Sequence, residues 1–196
     1  MKSEVSTMQQ VKTMTAKYLQ DFGKLVSQID GDAVGRVTQR LLEARDRGAT
    51  IFIAGNGGSA AIASHWVNDL GKATKCGGRT PLRVMSLSDN VSWLTALAND
   101  EGYERVFSGQ LENFAKSGDV LIAISSSGNS MNLVRAVELA KSRSLCTIGL
   151  LGFSGGTLKH MVDEHILVET DKGAYGLVEP AHEMLCHLIT KCLAEA

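Results

Sequence analysis

Two segments of this sequence share one pattern, and that pattern constrains the fold more than any other feature. Ile51–Ala60 and Val120–Ser130 each begin with an apolar run, continue into a loop of Gly, Ser and Asn, and lead into a helix-like pattern. An apolar run without alternation is typical of a strand that is covered on both faces. The loop lets a ligand approach the backbone, and the free N–H groups that begin the next helix attract anions.

Two ordinary strand-to-helix turns would also need Gly and Ser, and one such loop alone is weak evidence for a ligand site. Two hydroxyl-rich loops in one small domain favour a phosphate site. Neither loop matches GxxxxGK[ST] or GxGxxG, so the sequence does not predict a nucleotide-binding loop of the usual kind.

The order of the other patterns predicts the fold class. Two leading helices are predicted at about 5–29 and 32–47, and helical patterns then separate short apolar runs. Crossovers of this length favour parallel strand pairing. We therefore predict an α/β fold, a doubly wound and mostly parallel five-stranded sheet between helices. The strands are predicted at about 50–54, 82–87, 146–151 and 165–168, with one more beginning at Val120.

The chain is predicted to be a single domain over 1–196. Its helical segment at 1–48 is expected to pack on the core or on a neighbouring subunit, because the first helix has a wide apolar stripe and precedes every strand. Later helices are predicted at about 103–115 and 180–194. The second of these begins with Pro180, which suits the first position of a helix.

Composition excludes several classes of partner. The 196 residues are 44% apolar and 21% charged, and a formal net charge of −1 does not suggest a nucleic-acid or membrane surface. The sequence shows no signal-peptide pattern and no apolar run of membrane length, so a cytoplasmic protein is expected. The four cysteines lack close CxxC spacing, which predicts reduced thiols and argues against a cysteine zinc site.

The two loops carry a family resemblance. Gly55-Asn56-Gly57-Gly58-Ser59 and Ser125-Ser126-Ser127-Gly128-Asn129-Ser130 resemble the paired signatures of sugar-isomerase (SIS) domains. The chain is most similar to the phosphoheptose isomerase family, whose members isomerise sedoheptulose 7-phosphate. The similarity extends over nearly the whole chain, including Ala98-Asn99-Asp100 and the final helix.

The resemblance implies a homotetramer with active sites between subunits and a phosphate held by serines. It implies Asp69 and His187 as the acid/base pair. Some members bind zinc through positions that match His65, Asp69, Glu179 and His187, so zinc is expected as a metal that the site can hold without requiring it. No nucleotide or redox cofactor is expected. The expected substrate-binding residues are Asn56, Gly57, Gly58, Ser59, Asn99, Asp100, Ser125, Ser126, Ser127, Ser130 and Glu179.

This sequence departs from the family's usual residues at three positions. It has Asp69 where the family usually has Glu, Glu179 where the family has Gln, and Gly176 where the family usually has Asp. An aldose–ketose isomerase needs a base over a C–H bond and an acid near the oxygens. Asp69 is shorter than Glu by one methylene, so its carboxylate reaches less far toward the substrate. A different substrate or a bound metal would compensate for this shorter reach.

The spacing of the candidate residues agrees with this chemistry without requiring it. His65 and Asp69 are four residues apart and share a helix face, as would an ordinary solvated pair. Glu179, Glu183 and His187 are also spaced by fours, although a lone His on a helix is often structural. Glu179 and His187 lie about 12 Å apart along the helix, so one metal would need side chains that reach from the helix start or ligands from a neighbouring chain.

Two rival functions remain open from the sequence. One is a non-catalytic SIS protein that binds a sugar phosphate and regulates a partner, although the relatives of that kind lose the acidic residue that matches Asp69. The other is an isomerase of a different sugar phosphate. Asp100 either orients substrate hydroxyls or only forms a turn before Gly102.

Overall fold

A computed structural model describes residues 2–75 and 78–196 and, within the first helix, the side chains from residue 6 onward. The five strands form one parallel sheet in the order β2-β1-β3-β4-β5, which confirms the predicted α/β class. The strands are β1 Thr50–Gly55, β2 Arg83–Ser86, β3 Val120–Ser125, β4 Cys146–Phe153 and β5 Glu164–Glu169. The α-helices are α1 Lys2–Val26, α2 Gly31–Asp46, α3 Gly58–Ala73, α4 Val91–Asp100, α5 Ser108–Phe114, α6 Met131–Ser142 and α7 Tyr175–Glu195.

The apolar runs form the centre of the sheet because both of its faces are covered. β1 and β3 lie side by side in the middle, and their side chains alternate between two core clusters. Ile51 and Ile53 enter the cluster with α2, α3 and α7, whereas Phe52 enters the cluster with α4, α5 and α6. The helices therefore form a layer on each face, and the loops that follow β1 and β3 meet at the carboxyl edge.

The helix predicted at about 103–115 is divided in the structure. A 3₁₀ turn, Tyr103–Arg105, precedes α5, and Val106 and Phe107 between them are buried in the core. The prediction of one continuous helix was therefore wrong, although Val106 and Phe107 both keep right-handed helical backbone angles.

The last helix begins five residues before the predicted Pro180. Proline cannot donate to the carbonyl four residues earlier, which is that of Gly176. The Tyr18 hydroxyl of α1 donates to this carbonyl at 2.7 Å instead. The ring of Tyr175 also packs edge-on against Phe153, with ring centroids 5.2 Å apart. Tertiary contacts therefore support a helical turn that Pro180 alone would not predict.

The two leading helices differ in burial. Side chains of α2 such as Val37 and Leu41 are fully buried in the core, and Phe22 and Leu25 near the end of α1 pack against it. The earlier part of α1 leaves an exposed apolar surface, which we call the α1 stripe. The α1 stripe consists of Met8, Val11, Met14, Tyr18 and Leu19.

The described cysteines are free thiols. Cys186 is buried, Cys146 and Cys192 are half-buried, and Cys76 lies outside the described residues. Burial raises the pKa of the Cys186 thiol well above its ordinary value.

Within residues 2–75 and 78–196, no helix combines the length and apolar character that a membrane span requires.

His182 is a structural residue of α7 whose charge state makes stability depend on pH. Its ring is fully buried. Burial lowers the pKa of His182 from 6.5 to about 4. Between these pH values the unfolded chain binds a proton that the folded chain does not, so stability is lost as the pH falls.

We expect His182 to cost about 2 kcal/mol of the free energy of unfolding between pH 6.5 and pH 5. Urea denaturation of the wild type and of His182→Gln at both pH values measures this cost. The variant, which has no ionisable group at 182, is expected to lose that much less stability than the wild type. Equal losses in the two proteins would contradict the assignment of a neutral buried imidazole.

Candidate active site

Two loops form the base of the candidate site. The first follows β1 and includes Gly57, the N-cap of α3, and Gly58, its first residue. The second follows β3 and ends at Ser130, the N-cap of α6. Because β1 and β3 are paired in parallel, both loops emerge at the same edge of the sheet.

These loops enclose a cavity of about 140 Å³ at the carboxyl edge. Ser59, Ser125 and Ser126 are buried in its wall. The Ser126 hydroxyl has no hydrogen-bond partner among the described residues, which is unusual for a buried polar atom. The lining residues are Asn56, Ser59, Ile124, Ser125, Ser126, Ser127, Ser130, Tyr175 and Glu179.

Three helices present their N-termini to this cavity. Ser59 is the second residue of α3, Ser130 is the N-cap of α6, and Tyr175 is the first residue of α7, and all three line the cavity. The first turn of a helix has unpaired N–H groups and the positive end of the helix dipole. The cavity therefore suits an anion, although the residues that line it include no Lys or Arg.

The second loop is held in place by close backbone contacts. Gly128 has a φ of +65°, and a Cβ atom there would lie 1.9 Å from the Gly155 carbonyl oxygen, which only glycine avoids. Asn129 donates from its amide to the Ser127 carbonyl at 3.0 Å and accepts from the Thr157 backbone at 2.9 Å. These contacts set the positions of Ser127 and its neighbours in the cavity wall.

The first loop is held by an asparagine pair that the sequence analysis did not identify. The side chains of Asn56 and Asn132 exchange hydrogen bonds of 2.9 Å and 2.8 Å. The Tyr103 hydroxyl also donates to Asn56 at 2.8 Å. Asn132 lies two residues after the end of the second loop, and this position was the only signal for it in the sequence.

Asn99 and Asp100 lie elsewhere. Both are exposed at the end of α4, where the Asn99 amide donates to the Asp100 carboxylate at 2.7 Å. Neither is among the residues that line the cavity in the described chain. Their predicted role in substrate binding stays a prediction.

Glu179 belongs to the serine cavity. Its carboxylate lies over Gly58, where a Cβ atom would be only 2.5 Å from the nearer carboxylate oxygen. This position, beside the N-terminus of α3, is favourable for a negative charge. It also places the carboxylate in the wall of the site that the serines form.

A second group of polar side chains lies between α3 and α7, and we call it the histidine cluster: His65, Asp69, Glu183 and His187. The His187 Nδ1 atom is 3.1 Å from an Asp69 carboxylate oxygen, and the His65 Nε2 atom is 3.6 Å from the other. Glu183 contacts His65 Nδ1 directly and lies 3.7 Å from His187 Nε2. The structure thus brings the predicted acid/base pair together and adds Glu183, whose spacing of four residues from His187 was the sequence signal.

The donor atoms of the histidine cluster fit a metal ion. His65, Glu183 and His187 can each offer one ligand atom, and these three atoms lie within 4.8 Å of one another. Two imidazoles and one carboxylate are suitable ligands for zinc. Glu179, which the family resemblance placed in the metal site, is not part of this group among the described residues.

Comparisons with known proteins agree with this architecture. The SIS domain family model matches residues 17–152. The phosphoheptose isomerase of Trichlorobacter lovleyi is 36% identical over 189 residues, which cover 93% of this chain and 95% of that protein. The lincomycin biosynthesis protein LmbN of Streptomyces lincolnensis is 36% identical over 186 residues, or 91% of this chain and 67% of that protein.

A solved structure shows the same fold. Phosphoheptose isomerase GmhA from Neisseria gonorrhoeae superposes with a TM-score of 0.85 at 28% identity, covering 95% of this chain and all of that chain. The family model, the sequence relatives and this structural match therefore agree. The chain belongs to the SIS-domain family and, within it, to the phosphoheptose isomerases.

Proposed function

We propose that this chain is an aldose–ketose isomerase that converts sedoheptulose 7-phosphate to glycero-manno-heptose 7-phosphate. The observation that carries the proposal is the arrangement along α7, where one helix contributes to both the serine cavity and the histidine cluster. Tyr175 and Glu179 line the cavity, and Glu183 and His187 follow at intervals of four residues on the same face. The relatives named above as phosphoheptose isomerases support the same substrate.

The serine cavity binds the phosphate. Serine hydroxyls and the first turns of α3, α6 and α7 supply neutral donors and positive dipole ends for its oxygens. Binding energy at this remote group holds the reacting carbons in position.

Asp69 and His187 then transfer the protons. The Asp69 carboxylate takes a proton from C1 of the ketose, which forms the enediol, and the proton returns at C2 to give the aldose. When no metal is bound to it, His187, 3.1 Å from Asp69, moves the proton between the oxygens of C1 and C2. No electron acceptor is needed, because the oxidation of one carbon balances the reduction of its neighbour.

The distance along α7 favours a seven-carbon substrate. Glu179 and His187 are separated by about 12 Å of helix. An extended chain advances about 1.2 Å per single bond, so C1 of a heptose 7-phosphate lies about 10 Å from its phosphorus. A pentose phosphate is shorter by two carbons and reaches the histidine cluster less well.

We propose that zinc, where it is bound, is held at the histidine cluster by His65 and His187 with a carboxylate ligand. A zinc ion there would supply Lewis-acid stabilisation of negative charge on the substrate oxygens.

The test is an isomerisation assay with five-, six- and seven-carbon ketose phosphates. NMR monitors each reaction with and without added zinc. We expect sedoheptulose 7-phosphate to have the highest kcat/KM, about 10²-fold above a pentulose phosphate, because the shorter sugar leaves its reacting carbons misplaced. Binding of the heptose phosphate without turnover under either condition would instead favour a non-catalytic regulator. A higher kcat/KM for a shorter sugar would assign a different phosphosugar isomerase.

We infer that the chain assembles as a homotetramer with active sites between subunits, as the family resemblance implies. The α1 stripe supports assembly, because Met8, Met14 and Leu19 are each at least 60% exposed and would be covered by a neighbouring subunit. We expect Val11→Glu, which places a charge on the stripe, to lower the molar mass measured by size-exclusion chromatography with light scattering.

Gln9→Glu is the matched control for this variant. It adds the same charge two residues away, on the opposite face of α1, and should leave the molar mass unchanged. An unchanged mass for Val11→Glu, or a monomeric wild type, would argue against this interface.

We also infer a cytoplasmic location, which the free thiols of the described cysteines support. Cell fractionation with an antibody to the chain tests this inference, and recovery in a secreted or membrane fraction would contradict it.

A further inference from the structure

The carboxylate that the structure places with the two histidines is that of Glu183. The rings of His65 and His187 meet edge-on, with centroids 5.1 Å apart, and the same Glu183 oxygen faces both of them. Glu183 is half-buried between α3 and α7. Glu179 is one helical turn away, and its carboxylate lies over Gly58 in the serine cavity.

The two carboxylates of the histidine cluster face different ring nitrogens. Glu183 faces Nδ1 of His65 and Nε2 of His187. Asp69 faces the opposite nitrogens, Nε2 of His65 at 3.6 Å and Nδ1 of His187 at 3.1 Å. Histidines that bind a metal through one nitrogen commonly donate from the other to a carboxylate, which sets the orientation and tautomer of the ring. In this arrangement, the Glu183 oxygen and the two ring nitrogens that face it can serve as metal ligands. The Asp69 carboxylate faces the other two nitrogens and can orient the rings.

We propose that Glu183 completes a zinc site with His65 and His187, that Asp69 orients the two imidazoles from outside this site, and that Glu179 remains in the serine cavity. The donor set of two nitrogens and one carboxylate oxygen is one that zinc accepts, with a further position left for water or a substrate oxygen. This inference deepens the proposed function, since it concerns the same site. It differs from the ligand set that the family resemblance implied, in which Glu179 is a ligand and Glu183 has no role.

The difference has a physical origin in the sequence. Glu183 and His187 are four residues apart and therefore adjacent on one face of α7. Glu179 and His187 are two turns apart, about 12 Å along the helix, which is too far for both side chains to reach one ion without a long extension of each. Glu183 provides a carboxylate one turn from His187. The Glu179 carboxylate is then not needed as a metal ligand and remains in the serine cavity.

The experiment measures metal binding directly, without substrate. Metal-free wild type, Glu183→Ala and Glu179→Ala are titrated with Zn²⁺ in competition with a chromophoric chelator, and with Co²⁺ to follow the visible absorption of the bound ion. The two variants make the same chemical change on the same helix face, one turn apart, so each is the control for the other. Thermal unfolding of the metal-free proteins verifies that both variants are folded.

We expect wild type and Glu179→Ala to bind one ion per chain with similar affinity and similar Co²⁺ spectra. Glu183→Ala is expected to bind at least about 10²-fold more weakly, because loss of a ligand exceeds the effect of losing an outer partner. Weak binding by Glu179→Ala with an unchanged Glu183→Ala would overturn the assignment, and so would the absence of Zn²⁺ binding by wild type. Because no turnover is measured, a chain that binds zinc in this way but lacks isomerase activity would refute the proposed function alone.

Discussion

Replacing Asp69 by asparagine is expected to lower kcat for sedoheptulose 7-phosphate by about 10²–10⁴-fold, the range that a positioned general base contributes. The amide has almost the same size as the carboxylate but cannot accept the proton from C1. It also removes the negative partner of His187, whose Nδ1 atom lies 3.1 Å away. Steady-state kinetics together with calorimetric titration of the sugar phosphate would separate the loss of chemistry from a loss of binding.

Binding should change little in this variant, because the proposed phosphate site is the serine cavity and does not include Asp69. Asp69→Glu keeps the carboxylate and restores the residue usual in the family, so it should retain far more activity than Asp69→Asn. If Asp69→Asn kept more than a tenth of the wild-type kcat, Asp69 would not be the base, and another member of the histidine cluster would have to take that role.

Replacing Gly128 by alanine is expected to lower kcat/KM by about 10²-fold or more, mainly through a higher KM. The new methyl group would lie 1.9 Å from the Gly155 carbonyl oxygen, so the second loop must move. A shift of about 1 Å in the serines that we propose hold the phosphate is enough for an effect of this size. Kinetics and a binding titration with the sugar phosphate measure the change, and the unfolding free energy measures the accompanying strain.

Gly118 offers a matched control for the Gly128 variant. It also has a positive φ, +88°, but a Cβ atom there would have no neighbour within 4 Å. Gly118→Ala should therefore lose about 1–2 kcal/mol of stability from backbone strain alone and keep its kinetic constants. Equal kinetics for the two alanine variants would mean that the close approach of the second loop to Gly155 does not position the serines.

Much of the fold could be predicted because it depends on local patterns. Unbroken apolar runs at Ile51 and Val120 predicted central parallel strands, and the structure pairs β1 directly with β3. The boundaries of α7 could not be predicted in the same way. Pro180 marks a helix start in isolation, whereas the Tyr18 hydroxyl and the Phe153 ring support an earlier start through contacts distant in sequence.

The candidate site shows the same division. Gly and Ser in two loops identified residues that the structure arranges around one cavity, because parallel strands end at the same edge. Helical spacing showed that Glu179, Glu183 and His187 share one face of α7, but it could not show which of them meets α3. Which residue of α7 meets α3 depends on where along their lengths the two helices contact each other. In the structure, Glu183 of α7 contacts His65 of α3.

The sequence by itself determined the order of strands and helices, the two hydroxyl-rich turns, and the face of each helix that carries ionisable groups. These properties follow from hydrophobic periodicity and from the conformations that Gly, Ser and Asn permit. Only the tertiary structure decided that Asn56 pairs with Asn132, that Glu179 lies over Gly58, and that Glu183 joins the two histidines. The physical reason is that the packing of α3, α6 and α7 around the sheet sets distances of a few ångströms between side chains, which no local pattern in a sequence encodes.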